Sequence, residues 1–126
     1  MSGNFKYFSN KNQCEKCQDI RRLLEENTYL SDKLHVNNYD IDENPLLARK
    51  YNVLLTPGLV ITSRDQDKLL DYGIRFAGIP SGYEISSLLH AIILVSKRDS
   101  GLKPAVRNQL NDIKEPVQLH VFITPS

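Results

Sequence analysis

The sequence predicts an α/β domain: a mixed central sheet in the order strand, helix, strand, helix, strand, strand, helix, with helices covering both faces. Three observations carry this prediction. Short β-type apolar runs interleave with stretches whose apolar residues recur at helical spacing. A proline-bounded apolar run, a polar turn and a second run read as a hairpin. Finally, 126 residues with 40% apolar and 25% charged content suffice for one core without cross-links. A helix between the first two strands and another before the third imply parallel pairing for some strands, and the hairpin imposes an antiparallel pair at one edge.

The elements follow in chain order. "NFKYF" places Phe5, Tyr7 and Phe8 in a first strand. From Cys17 to about Asn27 the period changes, with Ile20, Leu23 and Leu24 on one face and Asp19, Arg21, Arg22, Glu25 and Glu26 on the others. "LHVNNYDI" supplies a second strand around Leu34 to Tyr39, and "ENPLLARKYNV" a short helix with Pro45 in its first turn. Pro57 cannot donate to a ladder, so it belongs just before a third strand over Leu59 to Ile61. "TSRDQDK" then reads as the turn into a fourth strand around Leu70 to Ala77. Ser81 and Glu84 form a capping-box pattern ahead of a helix whose stripe is Ile85, Leu88, Leu89, Ile92 and Val95. Residues 1–98 thus read as one unit. Residues 99–126 follow as a linker, a short helix with Val106, Leu110 and Ile113 in register, and a terminal apolar strand over Val117 to Ile123.

Sixteen basic against fifteen acidic residues leave a net charge of +1, so no global field draws the chain toward nucleic acid or anionic lipid. Met1 to Gln13 shows no signal-peptide pattern and no run is apolar enough to span a bilayer, which predicts a soluble cytoplasmic protein. The two cysteines, Cys14 and Cys17, are therefore the informative residues. Two residues apart, they cannot staple distant elements, and in a reducing compartment a close pair is more often catalytic or metal-binding. At a helix N-terminus the unpaired amides and the dipole favour a thiolate, which suits Cys14 as attacking group. One turn later, Cys17 shares the buried face with Ile20 and Leu24, which suits a shielded resolving thiol. Lys16 favours the thiolate and Glu15 opposes it. Their effects partly cancel and neither residue is the proline of stronger oxidants, which predicts a potential toward the reducing end of the roughly −120 to −270 mV range of such couples.

This element order, with Cys-x-x-Cys where the first strand meets the first helix, resembles the thioredoxin fold. In such a sheet the proline of Thr56-Pro57 is typically cis and lies against the cysteine pair. The backbone of Thr56 is then left to pair with an extended substrate strand. Gly58 would make the start of that strand pliable. "CEKC", "LLEENTYLSDKL", "ARKYNVLLTPGLVI" and especially "YGIRFAGIPSGYEISSLL" resemble the N-terminal unit of the glutaredoxin-like protein disulfide oxidoreductases, which fuse two such folds. The same block is similar to the N-terminal domain of the flavoprotein subunit of alkyl hydroperoxide reductase, which usually lacks a cysteine pair in its first unit.

The resemblance implies thiol-disulfide exchange with protein substrates. Cys14 matches the nucleophile, Cys17 the resolving thiol and Pro57 the cis-proline, with no cofactor beyond the redox-active disulfide. A thioredoxin-reductase-like flavoprotein is the implied electron donor. In that family a second Cys-x-x-Cys follows the segment that "VQLHVFITPS" resembles, so the sequence is expected to be a piece of a longer protein or a form that lost its second site. The terminal strand is expected to add to the edge of the first sheet or to pair with another molecule, which would make a homo-oligomer.

Two other readings stand beside this one. A zinc site would need four ligands, and His35, His90 and His120 are scattered without finger-like spacing. A non-catalytic unit that docks a redox partner would explain why no acid lies near Phe8 to assist proton transfer and why no aromatic flanks the cysteines.

Overall fold

Residues 2–10, 17–28, 33–78 and 83–124 are described in this computed structural model. The first strand, β1 (Ser2–Ser9), lies inside a four-stranded sheet of order β2-β1-β3-β4, completed by β2 (Leu34–Asp40), β3 (Gly58–Asp65) and β4 (Lys68–Ala77). β1 and β2 are parallel, β1 and β3 antiparallel, and β3 and β4 form the hairpin. The mixed sheet is the one expected from the order of elements.

Alternation along β1 divides the core in two. Phe5 and Tyr7 point to one side, where Leu59 and Ile61 of β3 join them. Helices α1 (Cys17–Thr28) and α3 (Tyr83–Lys97) cover that side with Cys17, Ile20 and Leu24 and with Leu88, Ile92 and Val95. Phe8 points to the other side and packs with Val60 against α2 (Pro45–Lys50) and the residues after it, through Ala48, Tyr51 and Val53.

Three details differ from the sequence prediction. The hairpin is longer, with Thr62 to Asp65 and Lys68 in strands and only Gln66 and Asp67 between them, Gln66 adopting φ +53°. A bulge lets β4 absorb the extra length: Ile61 faces Ile74 but Thr62 faces Asp71, leaving Tyr72 and Gly73 as the surplus, with Gly73 at φ +79°. The stripe of α3 is narrower than expected. Leu88, Ile92 and Val95 are buried at i, i+4 and i+7, whereas Leu89, turned about 100° away, is exposed. The capping residue Ser81 lies outside the described residues.

A last helix, α4 (Pro104–Leu110), has no buried residue and stops before Ile113. Beyond it the expected terminal strand is not formed. Residues 117–124 carry no ladder, and Val117, Leu119, Val121, Phe122 and Ile123 are all exposed. A strand requires a neighbour for its N–H and C=O groups, and neither sheet edge receives this segment. Among the described residues no helix is long and apolar enough to cross a membrane.

Candidate functional site

The sheet brings three chain segments to one end. β1 runs toward the cysteine segment and β2 runs parallel to it, so Ser9 and Asp40 finish together. β3 runs the other way and begins there, Gly58 facing Phe8. Backbone and side-chain bonds tie the ends: the Ile41 amide donates to the Ser9 carbonyl at 2.9 Å, and Asn10 Nδ2 donates to Asp42 Oδ2 at 3.2 Å. Asp40 shapes the loop that follows, its Oδ1 accepting from the amides of Asp42 and Glu43.

Of the sequence-predicted site residues, Cys14, Glu15 and Lys16 lie outside the described residues. Cys17 opens α1, is 5% exposed, and sits in the core cluster with Tyr7, Ile20 and Leu24. Its sulfur is disulfide-bonded rather than free. Its carbonyl accepts a hydrogen bond of 2.8 Å from the Tyr7 hydroxyl, which locates the start of α1 over the middle of the sheet. Tyr7 in turn faces Leu59, two residues into the strand that follows Pro57. Thr56 is half-buried, Pro57 is buried, and the peptide bond between them is cis.

The approach to Pro57 is held from several sides. Gly58 admits no side chain, since a Cβ there would come within 2.6 Å of Val53 Cγ1 and 2.8 Å of the Leu55 carbonyl oxygen. The glycine therefore serves close packing of the loop on β3 rather than the pliability expected from sequence. The Pro57 carbonyl accepts from the amide of Gly78, whose φ of +93° suits glycine, so the end of β4 is tied to the same point. Arg75 of β4 donates through Nε to the Tyr51 carbonyl at 2.7 Å and grips Asp71 with both terminal nitrogens, at 2.8 and 2.7 Å. Leu54 and Leu55, just before Thr56, project to solvent.

Electrostatics separate the two faces. Burial pushes the Tyr7 phenol up to about 12, against a weaker opposing pull from Arg21, so Tyr7 stays a hydrogen-bond donor across the working range of pH. On the other face Tyr51 is raised as well, by burial first and then by the charge of Asp71 and by Tyr39, while Arg75 opposes. The Arg75 hydrogen bond holds Asp71 below the ordinary carboxylate value, aided by the Gly73 amide. Lys6 is 8% exposed, with its ammonium 5.5 Å from the Tyr39 ring and 5.4 Å from the Tyr51 ring.

Sequence reasoning did not assign a role to Tyr7, Lys6 or the Asp71–Arg75 pair. A tyrosine among strand residues that point into a core was a usable signal, because a buried phenol almost always finds a partner. Among the described residues no three His, Cys, Asp or Glu come together as metal ligands would.

Comparison with solved structures places this arrangement. A protein disulfide oxidoreductase from Aeropyrum pernix superposes with a TM-score of 0.74 at 26% identity, over 90% of this chain and 48% of that one. The NTD_N/C domain of the alkyl hydroperoxide reductase of Enterococcus faecalis gives 0.74 at 24% identity, over 86% and 51%. A thioredoxin from Trichomonas vaginalis gives 0.56 at 19% identity, over 72% and 77%. The fold is thioredoxin-like. In sequence, this thioredoxin-like chain is 26% identical over 124 residues to the F component of alkyl hydroperoxide reductase from Staphylococcus aureus, covering 98% of the chain. The corresponding component of Staphylococcus epidermidis is 24% identical over the same length. The chain is homologous to the N-terminal thioredoxin-fold domain of that reductase component and to protein disulfide oxidoreductases. It spans 21% of the length of the curated relatives it matches. No protein-family model matches it.

Proposed function

We propose that this chain is a thiol-disulfide oxidoreductase unit that exchanges disulfides with protein substrates through Cys14 and Cys17. The observation that carries the reading is the state of Cys17: disulfide-bonded, buried on the inner face at the first residue of a helix, in a fold shared with a protein disulfide oxidoreductase. A thiol in that position is unreactive until a mixed disulfide is formed beside it. The proposed sequence is attack of the Cys14 thiolate on a substrate disulfide with release of one substrate thiolate. Cys17 then attacks the Cys14 sulfur and releases the second. Two electrons pass to the substrate, each leaving thiolate takes a proton, and no cofactor beyond the disulfide takes part.

Thr56 is proposed to offer its backbone to an extended substrate segment, with Pro57 setting the distance of approach; the two residues directly precede Gly58, which faces Phe8 near the end of β1. Glu15 and Lys16 are proposed to tune the couple. The cytoplasm is the proposed compartment and a thioredoxin-reductase-like flavoprotein the proposed electron donor.

A second reading, a non-catalytic docking unit of a redox protein, draws support from the match to only 21% of a larger reductase component. Alkylation of the reduced protein separates the two. The redox reading predicts that Cys14 reacts faster than Cys17, with a pH midpoint below the roughly 8.5 of a free thiol. Equal and slow alkylation would favour docking, and zinc released in stoichiometric amount by a chelator would favour a metal site.

A further inference from the structure

We infer that Tyr7 is a positioning residue for the Cys17 sulfur, setting through its hydroxyl how readily the cysteine pair closes into a disulfide. The inference rests on the thiol-disulfide reading above and names a residue outside the cysteine motif that controls it.

Tyr7 is 1% exposed and lies in a central strand, held by Asn38 on one side and Leu59 on the other. The ring therefore stands on a rigid support. Its hydroxyl donates 2.8 Å to the carbonyl of Cys17, the main-chain group attached to the site cysteine. Carbonyls at the start of a helix are already satisfied by the helix itself, unlike those at its end. The contact is thus an added tie between sheet and helix, made at the residue where a small displacement would move the sulfur. The surrounding cluster is Phe5, Ile20, Leu24, Leu59 and Leu88, which offers the phenol no competing partner of its own. Cys17 is disulfide-bonded in the structure that shows this contact, so the tie is present in the oxidised form, and the inference is that reduction weakens it.

Holding a reacting atom in place raises its effective concentration. With glutathione as reagent the balance is closed: the Cys14 thiolate attacks oxidised glutathione and releases one glutathione thiolate. Cys17 then displaces the second from the mixed disulfide, forming the Cys14–Cys17 bond. Two glutathione molecules are released in reduced form, two cysteines are oxidised, and the two thiol protons pass to the released thiolates or to solvent. Tyr7 acts on the second displacement by holding Cys17 in position through its carbonyl.

The test compares wild type, Tyr7→Phe and Thr62→Val in a glutathione redox buffer at fixed pH, reading the equilibrium constant by mass-resolved alkylation and the melting temperature of both redox forms. Thr62→Val removes another buried hydroxyl bonded to a backbone carbonyl, that of Asn4 at 2.8 Å, on the opposite face of the sheet. Tyr7→Phe is expected to lower the constant for disulfide formation about three- to tenfold, tenfold being about 30 mV for a two-electron couple. The oxidised form should lose more melting temperature than the reduced form, and Thr62→Val should leave the constant unchanged. An unchanged constant in Tyr7→Phe, with both redox forms destabilised equally, would mean a purely structural bond and overturn the inference. A wild-type protein that never forms the intramolecular disulfide under any glutathione ratio would instead remove the redox reading beneath it.

Discussion

The two faces of the sheet solve the same packing problem with different materials. Toward α1 and α3, β1 contributes Phe5 and Tyr7 to a hydrocarbon core into which Cys17 is folded, and the Tyr7 phenol commits its proton to the Cys17 carbonyl. Toward α2, the same strand contributes Lys6 and Phe8. There an ammonium lies against Tyr39 and Tyr51, and Arg75 joins Asp71 to the Tyr51 carbonyl. The first face encloses Cys17 in apolar side chains, leaving it 5% exposed. The second tolerates charge and uses it to hold the loop that leads to Thr56 and Pro57. The proposed chemistry thus depends on the dry face for the thiol and on the polar face for the substrate-facing loop.

The contrast is most exposed to test on the dry face. Leu88 is 2% exposed between α3 and the sheet, and Leu88→Ala should cost about 2–5 kcal/mol in denaturant unfolding. A loss below about 1 kcal/mol would mean that this core is not the main support of the fold. On the α2 side, at the start of β3, Gly58→Ala should cost about 1–3 kcal/mol, because the new methyl meets both Val53 and the Leu55 carbonyl. On the polar face, Arg75→Ala should cost about 1–2 kcal/mol, since its partners are only partly buried.

The same pair gives a pH signature. The carboxyl of Asp71 is lowered by the Arg75 hydrogen bond, so its contribution is fully present above the ordinary carboxylate value and is lost as pH falls through the folded one. Solvent access keeps that contribution below about 1 kcal/mol, and Asp71→Asn should flatten the acid limb of the stability profile by that amount. Smallest of all, Phe122→Ser in the exposed terminal segment should change stability by no more than about 0.5 kcal/mol.

Much of this was legible in the sequence because the signals were local. The helical period from Cys17, the proline of Thr56-Pro57 and the hairpin spacing each depend on a few neighbouring residues, and the first two predict the buried side of Cys17 and the start of β3. What escaped depends on residues distant in sequence. Tyr7 and Cys17 are ten positions apart, and the partner of a phenol cannot be read from alternation alone. Gly58 reads as a flexible point until Val53 and Leu55 are seen to press on it. The run 117–123 has the composition of a strand, yet composition supplies no neighbour, and without one the segment stays exposed.

Whether Cys14 and Cys17 form a working redox couple is decided by dithiol-driven reduction of insulin. The wild-type chain is expected to accelerate the reaction, and Cys14→Ser to abolish the acceleration while retaining the melting temperature of the reduced wild type. A chain that gives no acceleration, or a Cys14→Ser variant as active as wild type, would contradict the proposed couple.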